Sequence, residues 1–213
     1  MKKFARIIGT GSYLPSKVVT NFDLEKTLDT SDEWITARTG IKERRIVTDQ
    51  NTCDLALEAS LNALSMAELK PEDIDLIILS TTTPDKIFPA TATILQNRLG
   101  ASCPAFDLQA VCAGFVFALT TAQQYIENGS AKNILVVGSE TMSKIVDWSD
   151  RSTAILFADG AGAVVLSADN STGIKHSKLF SDGSYLSSLH VNNNGIDELG
   201  VIQMEGNEVF KIA

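Results

Sequence analysis

Two short runs, "LIIL" at 76–79 and "ILVV" at 134–137, restrict the folds open to this chain more than any other feature. Each is apolar at every position, so neither has a face to turn toward water. A strand on a half-exposed sheet alternates apolar and polar residues, whereas these must be covered on both sides. A largely parallel sheet between layers of helices provides that cover. The neighbouring pattern agrees. Strands are predicted at 4–14, 74–83, 104–111, 133–141 and 162–168. Between them, "NTCDLALEASLNALSMAEL" places Leu55, Ala59 and Ala63 on one helical stripe, widened by Leu57, Leu61 and Leu64. "ATATILQNRLG" ends on Gly100 and "CAGFVFALTTAQQYIENG" on Gly129, and glycine is favoured just past a helix. The order strand, helix, strand, helix, strand, helix, strand, strand predicts an α/β fold with a mostly parallel sheet.

With 213 residues, 44% of them apolar and 21% charged, the chain is long enough for one large or two small cores. Its net charge of −8, with no basic stripe to offset it, argues against nucleic acid as a partner. No apolar run approaches membrane-spanning length. The opening "MKKFARIIGTGSYLPS" is broken by Gly9, Thr10, Gly11 and Ser12, so it does not read as a signal peptide. A cytoplasmic protein without a membrane partner is the expectation. The 3 cysteines form no CxxC and no even spacing, so no disulfide framework, zinc site or other metal is expected. Cys53 and Cys103 read as small buried apolar residues.

The chain changes character near residue 169, where "ADNSTGIKHSKLFSDGSYLSSLHVNNNG" is polar and rich in turn signals. Residues 1–168 therefore read as one unit and 169–213 as the start of another. "EVFKIA" reads as the first turns of a helix that reaches Ala213 without a capping residue, so the expectation is a longer chain with its second half truncated here.

Cys112 raises the chemical question. If the preceding strand ends at Val111, Cys112 occupies a strand-to-helix corner, and the small residues Ala113 and Gly114 let the backbone turn sharply. The same geometry exposes the serine of a G-x-S-x-G elbow. A cysteine at a helix N-terminus meets the positive end of the peptide dipoles, which favours its thiolate. Free N–H groups of the first turn can hold an oxyanion. The corner suits covalent acyl chemistry, and a buried structural cysteine is the competing reading.

Four stretches carry a resemblance: "AVCAGF" (110–115), "TSDEWITARTGIKERR" (30–45), "DRSTAILFADGAGAVVL" (150–166) and "MEGNEVFKIA" (204–213). "GTGSYLPSKVVTN" (9–21) and "FPATATILQNRLG" (88–100) extend it along the whole chain. In this order and spacing they resemble β-ketoacyl-[acyl-carrier-protein] synthase III. The resemblance implies the thiolase fold, two similar α/β halves each with a mixed five-stranded sheet. It implies that Cys112 takes an acetyl or other short acyl group from acyl-CoA and that malonyl-[acyl-carrier-protein] then condenses with it. That reaction uses CoA as a substrate and needs no cofactor. A homodimer is implied as well.

Other positions acquire roles only through this resemblance. Trp34, Arg38, Thr39 and Arg151 match residues that hold the CoA nucleotide. Phe157 matches the floor of the acyl pocket, and Met204, Gly206 and Phe210 match the wall of the pantetheine tunnel. Phe88 matches a residue that crosses the dimer interface, and Lys211 part of a basic patch for the carrier protein. Bland readings stand beside these. Trp34 and Arg38 can pack together on a helix opened by a Thr30/Glu33 capping box, Arg151 can pair with Asp147 or Asp150, and Phe157 can be a core aromatic. Ser152 and Ala158 stand where glycine occurs in relatives. The His and Asn motifs that the family uses in decarboxylation do not occur in these residues. His176 and His190 lie in polar contexts, and Asn192, Asn193 and Asn194 read as a turn. Three other readings remain: a starter synthase using a different acyl-CoA, a non-catalytic binding or dimerisation module, and a cysteine hydrolase.

Overall fold

The computed structural model describes residues 3–193 and 199–212, and both apolar runs lie inside its main sheet. In chain order the elements are β1 (Phe4–Tyr13), β2 (Lys17–Thr20), α1 (Asn21–Leu24), α2 (Asp32–Thr39), β3 (Glu43–Ile46), α3 (Thr52–Ala67), β4 (Leu76–Ser80), α4 (Thr91–Leu99) and β5 (Ala105–Leu108). They continue with α5 (Gly114–Glu127), β6 (Asn133–Thr141), α6 (Arg151–Ala154), β7 (Asp159–Asp169), β8 (Leu189–Asn193), β9 (Leu199–Met204) and α7 (Gly206–Ile212). They fall into two compact units. One holds residues 3–14, 49–140 and 160–179; the other holds 15–48, 141–159 and the described part of 180–212.

The first unit is built on a five-stranded sheet in the order β1-β7-β6-β4-β5. β4 is parallel to both β5 and β6, with Ile77 opposite Ala105 and Ile78 opposite Val136. β1 runs antiparallel to β7 at one edge. On one face Ala118, Ala122 and Ile126 of α5 pack with Leu76, Ile78, Ile134, Val136, Val164 and Leu166. The alternate residues Ile77, Leu79, Leu135 and Val137 point the other way and are equally buried. The apolar runs are therefore covered on both sides, as their composition requires.

Two glycines set how closely α3 lies on β1. A Cβ on Gly9 would overlap the Ala63 carbonyl oxygen, and one on Gly11 would overlap the Ala59 carbonyl oxygen. The α3 stripe is narrower than predicted: Leu55, Ala59, Ala63 and Leu64 are buried, but Leu61 faces solvent. α4 has no capping side chain of its own. Asp107 on β5 supplies one from afar, accepting from the Thr91 N–H at 2.7 Å and the Ala92 N–H at 2.7 Å.

The second unit contains elements the sequence pattern did not announce. β2 and β3 pair antiparallel, from Lys17 opposite Ile46 to Thr20 opposite Glu43. At 4 residues each, "KVVT" and "ERRI" are too short and too polar to signal a strand. β8 and β9 pair antiparallel as well, and the turn read at Asn192–Gly195 runs into positions outside the described residues. Leu24, Leu28, Ile35, Val146, Ala154, Ile155 and Ile202 form the apolar core. Asp159, only 3% exposed, accepts from the Val47 N–H (2.7 Å), the Ser143 N–H (2.8 Å) and the Ser143 hydroxyl (2.6 Å). Two distant backbone segments are thereby joined through one buried carboxylate.

Candidate active site

The strand before Cys112 stops at Leu108, three residues earlier than predicted. Gln109 and Ala110 lead into a single 3-10 turn, Val111–Ala113, and α5 starts at Gly114. Sharp redirection occurs at Val111, whose φ is +49°. A β-branched residue there is a steric outlier, because its Cβ crowds the following carbonyl. Nothing in "AVCAGF" signals this, since glycine is the usual marker of a left-handed position. Ala113 closes the turn by donating its N–H to the Ala110 carbonyl at 3.2 Å.

The corner sits against the carboxyl ends of the parallel strands, where open α/β sheets place their sites. Gly114 meets Ser80 at the end of β4: a Cβ there would overlap the Ser80 hydroxyl and lie 3.3 Å from Ser80 Cβ. Phe115 lies over Gly138 of β6. Beyond β4, the loop Thr81–Thr83 wraps the Glu140 carboxylate. That group accepts from the Thr82 N–H (2.8 Å), the Thr83 N–H (3.1 Å) and the Thr81 and Thr83 hydroxyls (3.2 and 2.5 Å). Neither Gly114's contact with Ser80 nor the role of Glu140 was read from the sequence. The partners lie 34 and 57–59 positions away, and no local pattern links them.

The three cysteines differ sharply in setting. Cys112 is exposed, Cys103 is half-buried in the loop before β5, and Cys53 is fully buried in α3. Burial pushes the Cys53 thiol up to about 11 and the Cys103 thiol upward, so both are protonated at neutral pH. Among the described residues, only Cys112 presents an exposed thiol.

In the second unit, α2 and α6 bring three predicted residues together. The Arg38 guanidinium lies 4.6 Å from the Trp34 ring centroid and that of Arg151 lies 4.7 Å from it. Arg151 also donates to the Asp29 carbonyl at 2.7 Å. The bland expectation for Arg151, an ion pair with Asp147 or Asp150, is not what is seen. Asp150 instead caps α6, accepting from the Ser152 N–H at 2.8 Å. The Ser152 hydroxyl donates to the same carboxylate. Burial pushes the Asp150 carboxyl up, but the Ser152 and Thr153 hydrogen bonds outweigh it and hold the group below its ordinary range. α2 is opened by Ser31, whose hydroxyl accepts from the Trp34 N–H at 3.0 Å; Thr30 is not the cap. Thr39 spends its hydroxyl on the end of α2, donating to the Ile35 carbonyl at 2.8 Å and accepting from the Ile41 N–H at 3.0 Å.

The remaining predicted positions are distributed. Phe157 packs against the core of the second unit. Met204 ends β9 and Gly206 begins α7, which also carries Phe210, 87% exposed. Lys211 pairs with Glu208 at 2.7 Å on the same helix, which reduces the positive charge it offers a partner. Phe88, before Pro89, is 82% exposed in the first unit. His176 is exposed in an irregular segment, and His190 is half-buried on β8. Among the described residues, no group of three or more His, Cys, Asp or Glu side chains is placed to hold a metal, and no helix is long and apolar enough to cross a membrane.

Comparison with known proteins gives one consistent result. Residues 106–183 match the family model 3-oxoacyl-[acyl-carrier-protein (ACP)] synthase III. The chain is 70% identical over 213 residues to the beta-ketoacyl-[acyl-carrier-protein] synthase III of Vesicomyosocius okutanii subsp. Calyptogena okutanii (strain HA), covering 100% of this chain and 68% of that protein. It is 57% identical over 218 residues to the protein of the same name from Neisseria gonorrhoeae (strain NCCP11945), covering 99% and 68%. Among solved structures, the 3-oxoacyl-[acyl-carrier-protein] synthase III of Aquifex aeolicus VF5 superposes with a TM-score of 0.93 at 50% identity, over 98% of this chain and 67% of that one. The priming beta-ketosynthase of the R1128 polyketide pathway gives 0.94 at 36% identity, over 99% and 66%.

Proposed function

Because the chain belongs to the β-ketoacyl-[acyl-carrier-protein] synthase III family, we propose that it carries the acylation machinery of a condensing enzyme that initiates fatty acid synthesis. Cys112 is the nucleophile. Its thiolate attacks the thioester carbonyl of an acyl-CoA, a tetrahedral oxyanion forms, and the CoA thiolate leaves with the acyl group retained on Sγ. A carbanion released by decarboxylation of malonyl-carrier protein then attacks that acyl-cysteine. The products are β-ketoacyl-carrier protein, CO₂ and the regenerated thiol. Coenzyme A is substrate and product, so no resident cofactor is invoked.

The observation that carries this reading is the setting of Cys112: exposed, one residue beyond a left-handed valine, at the entrance to a 14-residue helix. The aligned peptides of α5 put partial positive charge at that end, which can stabilise an adjacent oxyanion. The nucleotide end of the substrate is assigned to Trp34, Arg38, Thr39 and Arg151. A purine can stack on the indole in place of one of the guanidinium groups now against it, and exposed guanidinium groups can pair phosphate. Phe157, Met204, Gly206 and Phe210 are assigned to the acyl and pantetheine path by their place in the family motifs. Lys211 is assigned to the carrier protein. Residues 169–213 are assigned to the second half of the doubled fold.

Condensation is not assigned to these residues alone. It needs neutral hydrogen-bond donors on the malonyl thioester, and the family's His and Asn motifs do not occur in them. A homodimer is supported by β5 at the sheet edge and by Phe88 and Ile87, 82% and 89% exposed, in the same unit. The likeness to a priming ketosynthase of a polyketide pathway favours one further reading, a different starter acyl group, which a panel of acyl-CoA substrates resolves.

The test is acylation. Incubation with acetyl-CoA followed by peptide mass spectrometry is expected to find one acetyl group on the peptide holding Cys112, and none in Cys112→Ala. An unmodified Cys112, or acetyl on another residue, would overturn the assignment.

A further inference from the structure

Arg44 is 3% exposed and has no carboxylate within ion-pair reach among the described residues. Burying a guanidinium against neutral acceptors is costly, and replacing buried charges by apolar residues is frequently neutral or stabilising. Fold stability alone therefore gives weak reason for an arginine here. What the residue does supply is reach. Its fork donates to the Val19 carbonyl on β2 (3.1 Å), to Asn21 Oδ1 (2.7 Å) and to the Ile155 carbonyl just after α6 (3.3 Å).

Asn21, 1% exposed, extends the connection. Its amide nitrogen donates to Asp32 Oδ1 at 2.8 Å, the first residue of α2, and to the Ile41 carbonyl at 2.7 Å, just past the end of that helix. A single amide thus grips α2 at both ends. Arg44 joins that amide to the end of α6, four residues beyond Arg151. The two elements so linked are those carrying Trp34 and Arg38 on one side and Arg151 on the other.

We propose that Arg44 and Asn21 are positioning residues for the nucleotide end of the acyl-CoA site, fixing the Trp34 helix and the Arg151 turn relative to each other. This rests on the assignment of Trp34, Arg38 and Arg151 to coenzyme A. Neither Arg44 nor Asn21 is assigned any contact with substrate. Their effect is the geometry of three side chains that are, and misplacement by about 1 Å can cost up to roughly a hundredfold in a positioned reaction.

The experiment compares acetyl-CoA with acetyl-pantetheine, which lacks the nucleotide, as acyl donors to Cys112. Arg44→Lys keeps the charge but loses the planar fork. Asn21→Asp keeps an acceptor for Arg44 but loses the donations of the amide nitrogen and repels Asp32. Thermal melts confirm folding, and Asn21→Asp carries the test if Arg44→Lys does not fold. The expected result is an apparent KM for acetyl-CoA raised about tenfold, with the saturated rate and the kcat/KM for acetyl-pantetheine changed less than about twofold. Folded variants with the parental KM for acetyl-CoA overturn the proposal. So does an equal loss with both donors, which is the mark of a purely structural role. A parental protein that does not prefer acetyl-CoA to acetyl-pantetheine overturns the nucleotide assignment itself.

Discussion

Replacing Val111 tests whether the nucleophile stands on a strained turn. At φ +49° a residue with a Cβ carries about 1–3 kcal/mol of strain that glycine does not. Glycine brings a more flexible unfolded chain, worth about 0.5–1 kcal/mol against it. Val111 is 52% exposed, so truncating its side chain removes about 1 kcal/mol of apolar burial. Val111→Gly therefore comes out near neutral, between a loss of about 1 kcal/mol and a gain of about 1.5 kcal/mol. Val111→Ala keeps the strain and loses the same burial, so it is expected to destabilise by about 1 kcal/mol. Val111→Asn, a residue that tolerates the left-handed region, is expected to equal or exceed glycine. The decisive quantity is the sign of the Gly–Ala difference. Glycine is the better residue only where φ is positive; at a negative φ alanine wins by about 0.5–1 kcal/mol. Urea denaturation of the three variants reads it directly, and the acetylation rate of Cys112 reads the cost of a looser turn, expected to be slower in Val111→Gly. If alanine proves more stable than glycine here, the strained-corner account is wrong.

Other consequences follow from particular contacts. Gly11→Ala forces a methyl onto the Ala59 carbonyl, backbone that cannot rotate away, and is expected to destabilise the first unit by about 2 kcal/mol or more in the same denaturation assay. Asp107→Ala removes both N–H acceptors at the start of α4 and should cost about 1–2 kcal/mol, with faster amide exchange confined to Thr91 and Ala92. Cys53 gives a pH signature. Its folded-state thiol is raised from 9.0 to about 11, so the stability it contributes is complete below pH 9.0 and is lost as pH rises toward about 11. Denaturation midpoints measured across that window should fall less steeply in Cys53→Ala than in the parent. At pH 8, iodoacetamide should label Cys112 at least tenfold faster than Cys53, on the order expected between an exposed and a buried thiol. Equal labelling would contradict the burial of Cys53.

What the chain determines by itself is local and periodic. "LIIL" and "ILVV" are apolar on both faces, and that property alone requires a covered sheet whatever covers it. Gly40 and Gly100 follow their helices in the left-handed conformation, and of these Gly100 was predicted from its position alone. Trp34 and Arg38, one helical turn apart, meet as i,i+4 neighbours must. Cys112 could be singled out as a corner residue, although the sharp turn falls on Val111, where the residue type gives no warning.

Tertiary structure decided everything that depends on a partner far along the chain. Arg151 reaches Trp34 across 117 positions, Asp107 caps a helix that begins 16 residues before it, and Arg44 binds Ile155 across 111. Such pairs leave no periodic trace, because each partner is individually compatible with an ordinary surface or core position. β2 and β3 escaped detection for the same reason: 4-residue strands owe their conformation to each other and to the core of Leu24, Ile35 and Ile155, not to any pattern within them. Backbone preference and hydrophobic period act over a few residues and can be read in order. The capping carboxylates, the guanidinium fork and the strained valine exist only once packing has brought distant groups within hydrogen-bond distance, where desolvation makes each unmade bond costly.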